Sequence, residues 1–394
     1  MSLATSAVAQ PVSPAPASAA RAGRYEALDS LRGLAACWVV IFHLPSDGHS
    51  WPLAIVQNGF LAVTFFFVLS GFVIGASYGD RLAQGYSIPK FMFLRWGRIY
   101  PLHAFMLGVI LIYEIIRLVF GLGAFREGAP FTGLTAPDGL FWNIVLLQEV
   151  PAELSWNKPS WSIGVEYWTY LACALLLVFL PTRRLLPAAI CLMAPGAVLV
   201  VLGGKLGLHP PTEVTSLLKC ALGFGIGLAV YEVRRMGWQI PAGKVSTAVM
   251  TAIELAALGF MLFTCWAFGG SFSHLIYPAF ALLIWVFASQ GGHISRLLLT
   301  PPMLLLGTLS YSIYMVHQFI QDRLLDLIAA AQGVVPLTVT QSGRIVLAGN
   351  PLLCDLVTLV MLALVIAAAG VTYRHVEEPA RLWSRRIAEK LFPA

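Results

Sequence analysis

Two side chains of unusual type stand in one apolar stretch near the start of the chain, DSLRGLAACWVVIFH (29–43). Arg32 lies near one end of the stretch and His43 at the other, eleven positions later. In an α-helix this separation is three turns plus about 20°, so both side chains point to one face, about 16 Å apart along the axis. A guanidinium binds anionic groups, and an imidazole takes up a proton near neutral pH. The pair provides groups suited to these two tasks at two levels of one helix face.

A purely structural interpretation of these two residues is also open. Arg32 can extend to a membrane surface or pair with Asp29 one turn earlier, and His43 can simply close the helix before Pro45. A charged side chain inside an apolar span is costly, however, so we expect it to face the interior of the protein.

The composition is that of an integral membrane protein. Of the 394 residues, 58% are hydrophobic and only 11% are charged, which is well below the charged fraction of soluble domains. Apolar runs of roughly 17 to 25 residues recur along most of the chain, which favours a helical bundle over a β-barrel. The six cysteines and eight histidines show no C-x-x-C or H-E-x-x-H spacing. We therefore predict no bound metal.

The fold predicted from these runs is an all-α, polytopic bundle of about ten membrane-spanning helices. The predicted spans are 25–45, 58–78, 99–122, 161–181, 185–203, 214–231, 246–268, 272–289, 302–328 and 351–372. With the N-terminus inside, 17 of the 25 Lys and Arg residues fall in inner segments and 5 in outer segments. This asymmetry predicts that both termini are cytoplasmic, and it explains the net charge of +6 without nucleic-acid binding.

One transmembrane domain, 24–386, is predicted between two tails. Residues 1–23 are rich in Ala, Pro and Ser and are expected to form a disordered cytoplasmic tail, and 387–394 a short cytoplasmic tail. The long outer loop 123–160 contains an apolar stretch, GLFWNIVLLQ, that is too short to span the bilayer. It predicts a re-entrant or interfacial helix that covers an outer cavity.

The stretch 29–43 resembles the R-x10-H signature of the acyltransferase 3 family of integral membrane O-acyltransferases. Other stretches look like that family's further blocks, in the same order: FFFVLSGFVIG (65–75), FLRWGRIYP (93–101), SWSIGVEYWTY (160–170), LGTLSYSIYMVH (306–317) and EEPARLW (377–383). Thr64 stands where many relatives have Asp, so a role for that carboxylate is in doubt here. The resemblance extends from about residue 24 to 386.

The resemblance implies an enzyme of the bacterial inner membrane that moves an acyl group, most commonly acetyl, from cytoplasmic acyl-CoA to a hydroxyl of a carbohydrate or similar acceptor. It implies His43 as the general base, acting either only as a base or also as a transient acyl carrier. Glu166 is expected to lie beside His43 and to support its positive form, and the alternative is that it caps its helix or pairs locally. Arg32, Arg98 and Arg95 are expected to bind the phosphates of coenzyme A, and they can equally be ordinary basic anchors at the inner membrane surface.

Three further side chains of the ninth predicted span, Tyr311, Tyr314 and His317, are candidates to line a tunnel for the pantetheine arm. Their hydroxyl and imidazole groups can equally join helices by hydrogen bonds.

Two other classes of protein also fit this sequence. Ten spans with buried charges suit a transporter or exporter of a small molecule or saccharide, although no pairing of Gly- or Pro-interrupted halves is visible. An inactive binding or export partner fits less well, because Arg32, His43 and Glu166 are all present. Release of free thiol distinguishes the enzyme from a carrier. The acceptor, the acyl chain and the oligomeric state are left open.

Overall fold

A computed structural model shows a bundle of long helices. It describes residues 25–122, 128–149, 155–180, 184–206, 212–241, 244–268, 275–331, 336–339 and 345–393, without the side chains of 201–206 and 212–214. The predicted tail 1–23 lies outside the described residues. The elements are α1 (Glu26–Phe42), α2 (Ala54–Gln57), α3 (Leu61–Ile74), α4 (Asp80–Ala83), α5 (Ile88–Phe120), α6 (Pro137–Ile144), α7 (Ser160–Phe179), α8 (Leu185–Leu206), α9 (Thr212–Arg235), α10 (Thr247–Phe268), α11 (Ile276–Phe287), α12 (His293–Leu298), α13 (Pro301–Ala330), β1 (Leu337–Val339), β2 (Ile345–Leu347), α14 (Pro351–Thr372) and α15 (Glu378–Leu391).

Seven helices of the described residues are long and apolar enough to cross a membrane. They are Leu61–Ala83, Ile88–Phe120, Ser160–Phe179, Thr215–Arg235, Thr247–Ala267, Pro301–Ala330 and Pro351–Leu391. The other three predicted spans coincide with α1 and with two shorter apolar helices, Leu185–Val200 and Ile276–Phe287. The predicted helical membrane bundle is confirmed, whereas the count of ten spans and the cytoplasmic termini stay predictions.

A small antiparallel sheet departs from the all-α prediction. Strands β1 and β2 pair with Leu337 opposite Leu347. The Leu347 backbone donates to the Pro45 carbonyl at 3.0 Å and accepts from the Asp47 amide at 2.8 Å, so the sheet holds the segment that follows His43. Each strand has only three residues, which is too few for an alternating pattern to be recognised in the sequence.

Helix α1 packs against α13 through two facing glycines. A Cβ atom on Gly33 would overlap the backbone of Leu306 and Gly307, and one on Gly307 would overlap the backbone of Asp29. Small residues let the backbones of membrane helices approach this closely. The contact places the neighbouring Arg32 within reach of the α13 backbone.

Two π-helical turns continue long helices. Gly75–Gly79 joins α3 to α4, and Tyr373–Glu377 joins α14 to α15. A π turn places one extra residue in a helical turn, which redirects the side chains that follow, and such turns are frequent at functional sites.

The remaining predicted segments are also helical. The apolar stretch 139–148 lies largely within α6, which is attached to α5 because His103 Nε2 contacts the Asn143 carbonyl at 2.8 Å. The predicted C-terminal tail beginning at residue 387 is mostly part of α15, which extends to Leu391.

Candidate active site

Two cavities lie inside the bundle and share part of their lining. The first, with a volume of about 800 Å³, contains Arg32, Arg95 and Arg98, and we call it the arginine cavity. The second, of about 570 Å³, contains His43, and we call it the histidine cavity. Three side chains line both cavities and form what we call the shared wall: Val63, Phe67 and Tyr314.

Helices α1 and α7 each pass from one cavity to the other. On α1, Arg32 lines the arginine cavity, whereas Val39 and the C-terminal His43 line the histidine cavity. On α7, Trp161 at the start lines the histidine cavity and Ser162 lines the arginine cavity. The two cavities therefore follow one another along the helix axes.

Arg32 is held in place by three groups. Its Nε donates to Ser310 Oγ at 2.8 Å, and a terminal nitrogen donates to the Gly307 carbonyl at 3.2 Å. The guanidinium also pairs with Asp29 at 3.0 Å, and its side chain is 23% exposed. The local pair considered for Arg32 is thus present, and the same side chain also reaches the cavity.

Arg98 differs from Arg32 because it has no such partners. It lines the arginine cavity and makes no hydrogen bond or salt bridge within the described residues. Arg95 donates to the Tyr78 hydroxyl at 3.3 Å. Six guanidinium groups and three carboxylates line the cavity: Arg32, Arg81, Arg95, Arg98, Arg381 and Arg385, with Asp29, Glu166 and Glu377. This excess of positive charge suits a polyanionic ligand.

His43 caps the C-terminus of α1. Its Nδ1 lies 2.9 Å from the Val39 carbonyl. A carbonyl oxygen can only accept, so Nδ1 carries the proton, and the neutral ring keeps its lone pair on Nε2. This tautomer suits a general base that acts through Nε2.

Glu166 does not share a cavity with His43, contrary to the expected pairing. It lines the arginine cavity, and its Oε1 accepts a hydrogen bond of 2.5 Å from Tyr170 one turn later on α7. The reason is its position relative to the shared wall, because Glu166 lies one turn beyond Ser162, which already lines the arginine cavity. A local pair of this kind was the alternative open for Glu166.

The three candidate tunnel residues have different positions. Tyr311 lines the arginine cavity and donates to the Ile99 carbonyl at 2.5 Å. Tyr314 belongs to the shared wall, where its hydroxyl lies 2.8 Å from Ser162 Oγ. His317 is fully buried and lies outside both linings, with its ring centroid 5.0 Å from that of His43.

Sequence reasoning missed several polar residues of both cavities. The carboxylate that lines the histidine cavity is Glu149, and Lys158, Lys219 and Ser216 line it as well. The loop residue Glu149 carries no motif that would single it out. Glu377, by contrast, is the first residue of the EEPARLW block, which gave a signal for its position in the arginine cavity.

The chain is similar to known proteins along most of its length. Residues 25–372 match the acyltransferase domain family Acyl_transf_3. The chain belongs to the acyltransferase 3 family. This acyltransferase is 29% identical to acyltransferase MdmB of Streptomyces mycarofaciens over 93% of this chain and 94% of that protein. It is 28% identical to peptidoglycan O-acetyltransferase OatA of Listeria monocytogenes over 74% of this chain and 48% of that protein.

A further relative is the O-acetyltransferase OatA of Staphylococcus aureus, 24% identical over 90% of this chain and 57% of that protein. The acyltransferase thus spans almost the whole of MdmB but only about half of each OatA protein. No solved structure matches it. The chain is a membrane O-acyltransferase, as the resemblance of its motifs predicts.

Proposed function

We propose that this acyltransferase moves an acyl group, with acetyl as the first candidate, from acyl-CoA in the arginine cavity to a hydroxyl in the histidine cavity. The observation that carries the proposal is the shared wall. It brings a polycationic chamber and a chamber with a basic imidazole together at Tyr314. The thioester of a donor that reached the wall would meet a hydroxyl approaching from the other side.

The chemistry assigns a role to each chamber. Arg32, Arg95 and Arg98 bind the phosphates of coenzyme A by charge-assisted hydrogen bonds. His43 takes the proton of the acceptor hydroxyl through Nε2 as the oxygen attacks the thioester carbonyl. The carbon–sulfur bond then breaks, and coenzyme A leaves as a thiolate that takes up this proton.

The acceptor is proposed to be a carbohydrate or a similar polyol. The histidine cavity combines the aromatic faces of Phe42 and Trp161 with the polar side chains of Glu149 and Ser216, which suits a sugar ring with its hydroxyls. The name of the Listeria relative, a peptidoglycan O-acetyltransferase, points to the same class. The basic residues beside the arginine cavity support a cytoplasmic position for the donor in a bacterial inner membrane.

The proposal is tested with ¹³C-acetyl-CoA and mass spectrometry of surface glycans and small metabolites. Inside-out membrane vesicles with the parental protein are expected to release free thiol and to incorporate label, and His43→Ala is expected to abolish both. His49→Ala is the matched control, because this exposed histidine pairs with Asp355 at 2.7 Å and lies outside both cavities. Solute uptake without thiol release would instead identify a transporter, and full turnover in His43→Ala would exclude His43 as the base.

A further inference from the structure

A cluster of aromatic and guanidinium groups lies at the edge of the arginine cavity. Arg81 Cζ is 4.0 Å from the ring centroid of Tyr86 and 5.3 Å from that of Tyr78, and Arg95 Cζ is 4.9 Å from the Tyr78 ring. Tyr78, Arg81 and Arg95 all line the cavity. Arg81 is exposed and has no carboxylate partner within the described residues.

The cluster is positioned by helix α3 and its continuation. Tyr78 lies in the π-helical turn Gly75–Gly79, and Arg81 follows it in α4. Earlier on the same continuous helix, in the middle of α3, Phe67 forms part of the shared wall. Phe67 and Tyr78 are eleven residues apart, which corresponds to about 16 Å of helical rise.

We propose that Tyr78, Arg81 and Arg95 form the binding subsite for the adenine nucleotide of the donor. This inference rests on the proposed function, in which the donor is acyl-CoA. A donor whose thioester lies at the shared wall has its nucleotide at the far end of an extended arm. The cluster lies about 16 Å of helical rise from Phe67 of that wall, on the side where the arm would end. The adenine ring stacks on the flat surface of Tyr78 and Arg81, and Arg95 binds phosphate oxygens.

The chemistry of the cluster favours a nucleotide over a simple anion. A simple anion needs only guanidinium groups, which Arg98 already supplies elsewhere in the cavity. The ring of Tyr78 adds a planar face to the cavity, and Arg81 Cζ lies over the neighbouring Tyr86 ring. A guanidinium stacked on an aromatic ring keeps its N–H edges available for phosphate. Together they match a ligand that has both a base and phosphates.

The test compares coenzyme A with 4′-phosphopantetheine, which lacks the adenine nucleotide. Kd values are measured on the purified full-length protein by competition with a labelled acyl-CoA. Tyr78→Leu and Arg81→Gln are each expected to raise the Kd of coenzyme A by about tenfold, within the range known for loss of one base–aromatic stack. The Kd of 4′-phosphopantetheine is expected to be unchanged, which also demonstrates that the cavity is folded.

Tyr113→Leu is the matched control. Arg323 Cζ lies 3.8 Å from the Tyr113 ring, so this variant removes a comparable cation–π pair away from both cavities. It is expected to leave both Kd values unchanged. An equal loss of affinity for the two ligands in Tyr78→Leu, or no loss for either, would overturn the subsite. If the parental protein binds no coenzyme A, the proposed donor itself is wrong and the subsite falls with it.

Discussion

The imidazole rings of His43 and His317 are in contact, with centroids 5.0 Å apart and planes inclined by 50°. His317 Nδ1 lies 2.6 Å from the Tyr314 carbonyl and therefore carries the proton. Its Nε2 is buried without a hydrogen-bond partner in the described part of the chain. An unpaired buried nitrogen is unfavourable in the resting protein. In the proposed mechanism His43 takes up a proton, and the neutral His317 ring would then offer an acceptor close to the new imidazolium.

Replacement of His317 by Phe tests this role. The aromatic ring is kept while the lone pair is lost, so kcat is expected to fall by roughly 10- to 150-fold, which corresponds to one hydrogen bond to a charged group. The KM for acyl-CoA is expected to stay constant, because His317 lines neither cavity. Initial rates of thiol release give both constants. A parental kcat in a His317→Phe protein with normal thermal stability would show that His317 only packs against His43.

Arg32 and Arg98 are expected to respond differently to substitution. Arg98→Gln removes a guanidinium that makes no hydrogen bond or salt bridge among the described residues, so the Kd of coenzyme A should rise about tenfold with little change in Tm. Arg32→Gln should weaken binding and also lower Tm, because Ser310, Gly307 and Asp29 lose their partner. Arg386→Gln on the exposed surface of α15 is the control. Equal Tm losses in the two cavity variants would contradict the distinction.

The sequence predicts the helices and the shared helix face of Arg32 and His43, because both follow from simple periodicities. The length of an apolar run matches the thickness of the bilayer, so each run predicts a spanning helix. The eleven-residue spacing of Arg32 and His43 places them on one helix face. Both side chains do line interior cavities. Their division between two chambers was not predictable, because the shared wall is built from α3 and α13, which lie far apart in the chain.

The differences between the predicted and the observed arrangement of the site have related causes. Glu166 and His43 have similar expected depths in the membrane, and this similarity alone predicts that they meet. Depth does not show on which side of the shared wall a side chain lies. The position of Tyr78 depends on a π turn, which interrupts the regular 3.6-residue period. The family resemblance covered FLRWGRIYP but gave no indication of a Tyr78–Arg95 contact, which arises only when the helices pack.

A buried ion pair on α5 gives a prediction about stability. Glu114 and Arg117 are each 1% exposed and lie 2.7 Å apart. The second Glu114 oxygen accepts from the Phe131 amide at 2.7 Å, and Arg117 donates to the Gly128 carbonyl, so the pair also holds the loop that leads to α6. Arg117→Met leaves a buried carboxylate uncompensated and is expected to cost about 3–5 kcal/mol of unfolding free energy.

The double variant Glu114→Leu/Arg117→Met provides the check on this ion pair. It removes both charges at once, so it should recover much of the Tm lost in Arg117→Met. Thermal unfolding in detergent measures both variants. If the Tm loss of the double variant equals the sum of the losses of Arg117→Met and Glu114→Leu, the two side chains act independently.

The crossing of α3 and α9 depends on glycine in a way that a single methyl group can test. A Cβ atom on Gly71 would overlap the backbone of Phe224, whereas one on Gly108 in α5 would meet open space. Gly71→Ala therefore forces α3 away from α9 and displaces the shared wall at Phe67, so both Tm and kcat should fall. Gly108→Ala should keep both, or raise Tm slightly, because Ala is the better helix former by about 1 kcal/mol. If Gly71→Ala retains parental Tm and kcat, the helices tolerate separation and the wall does not require their close contact.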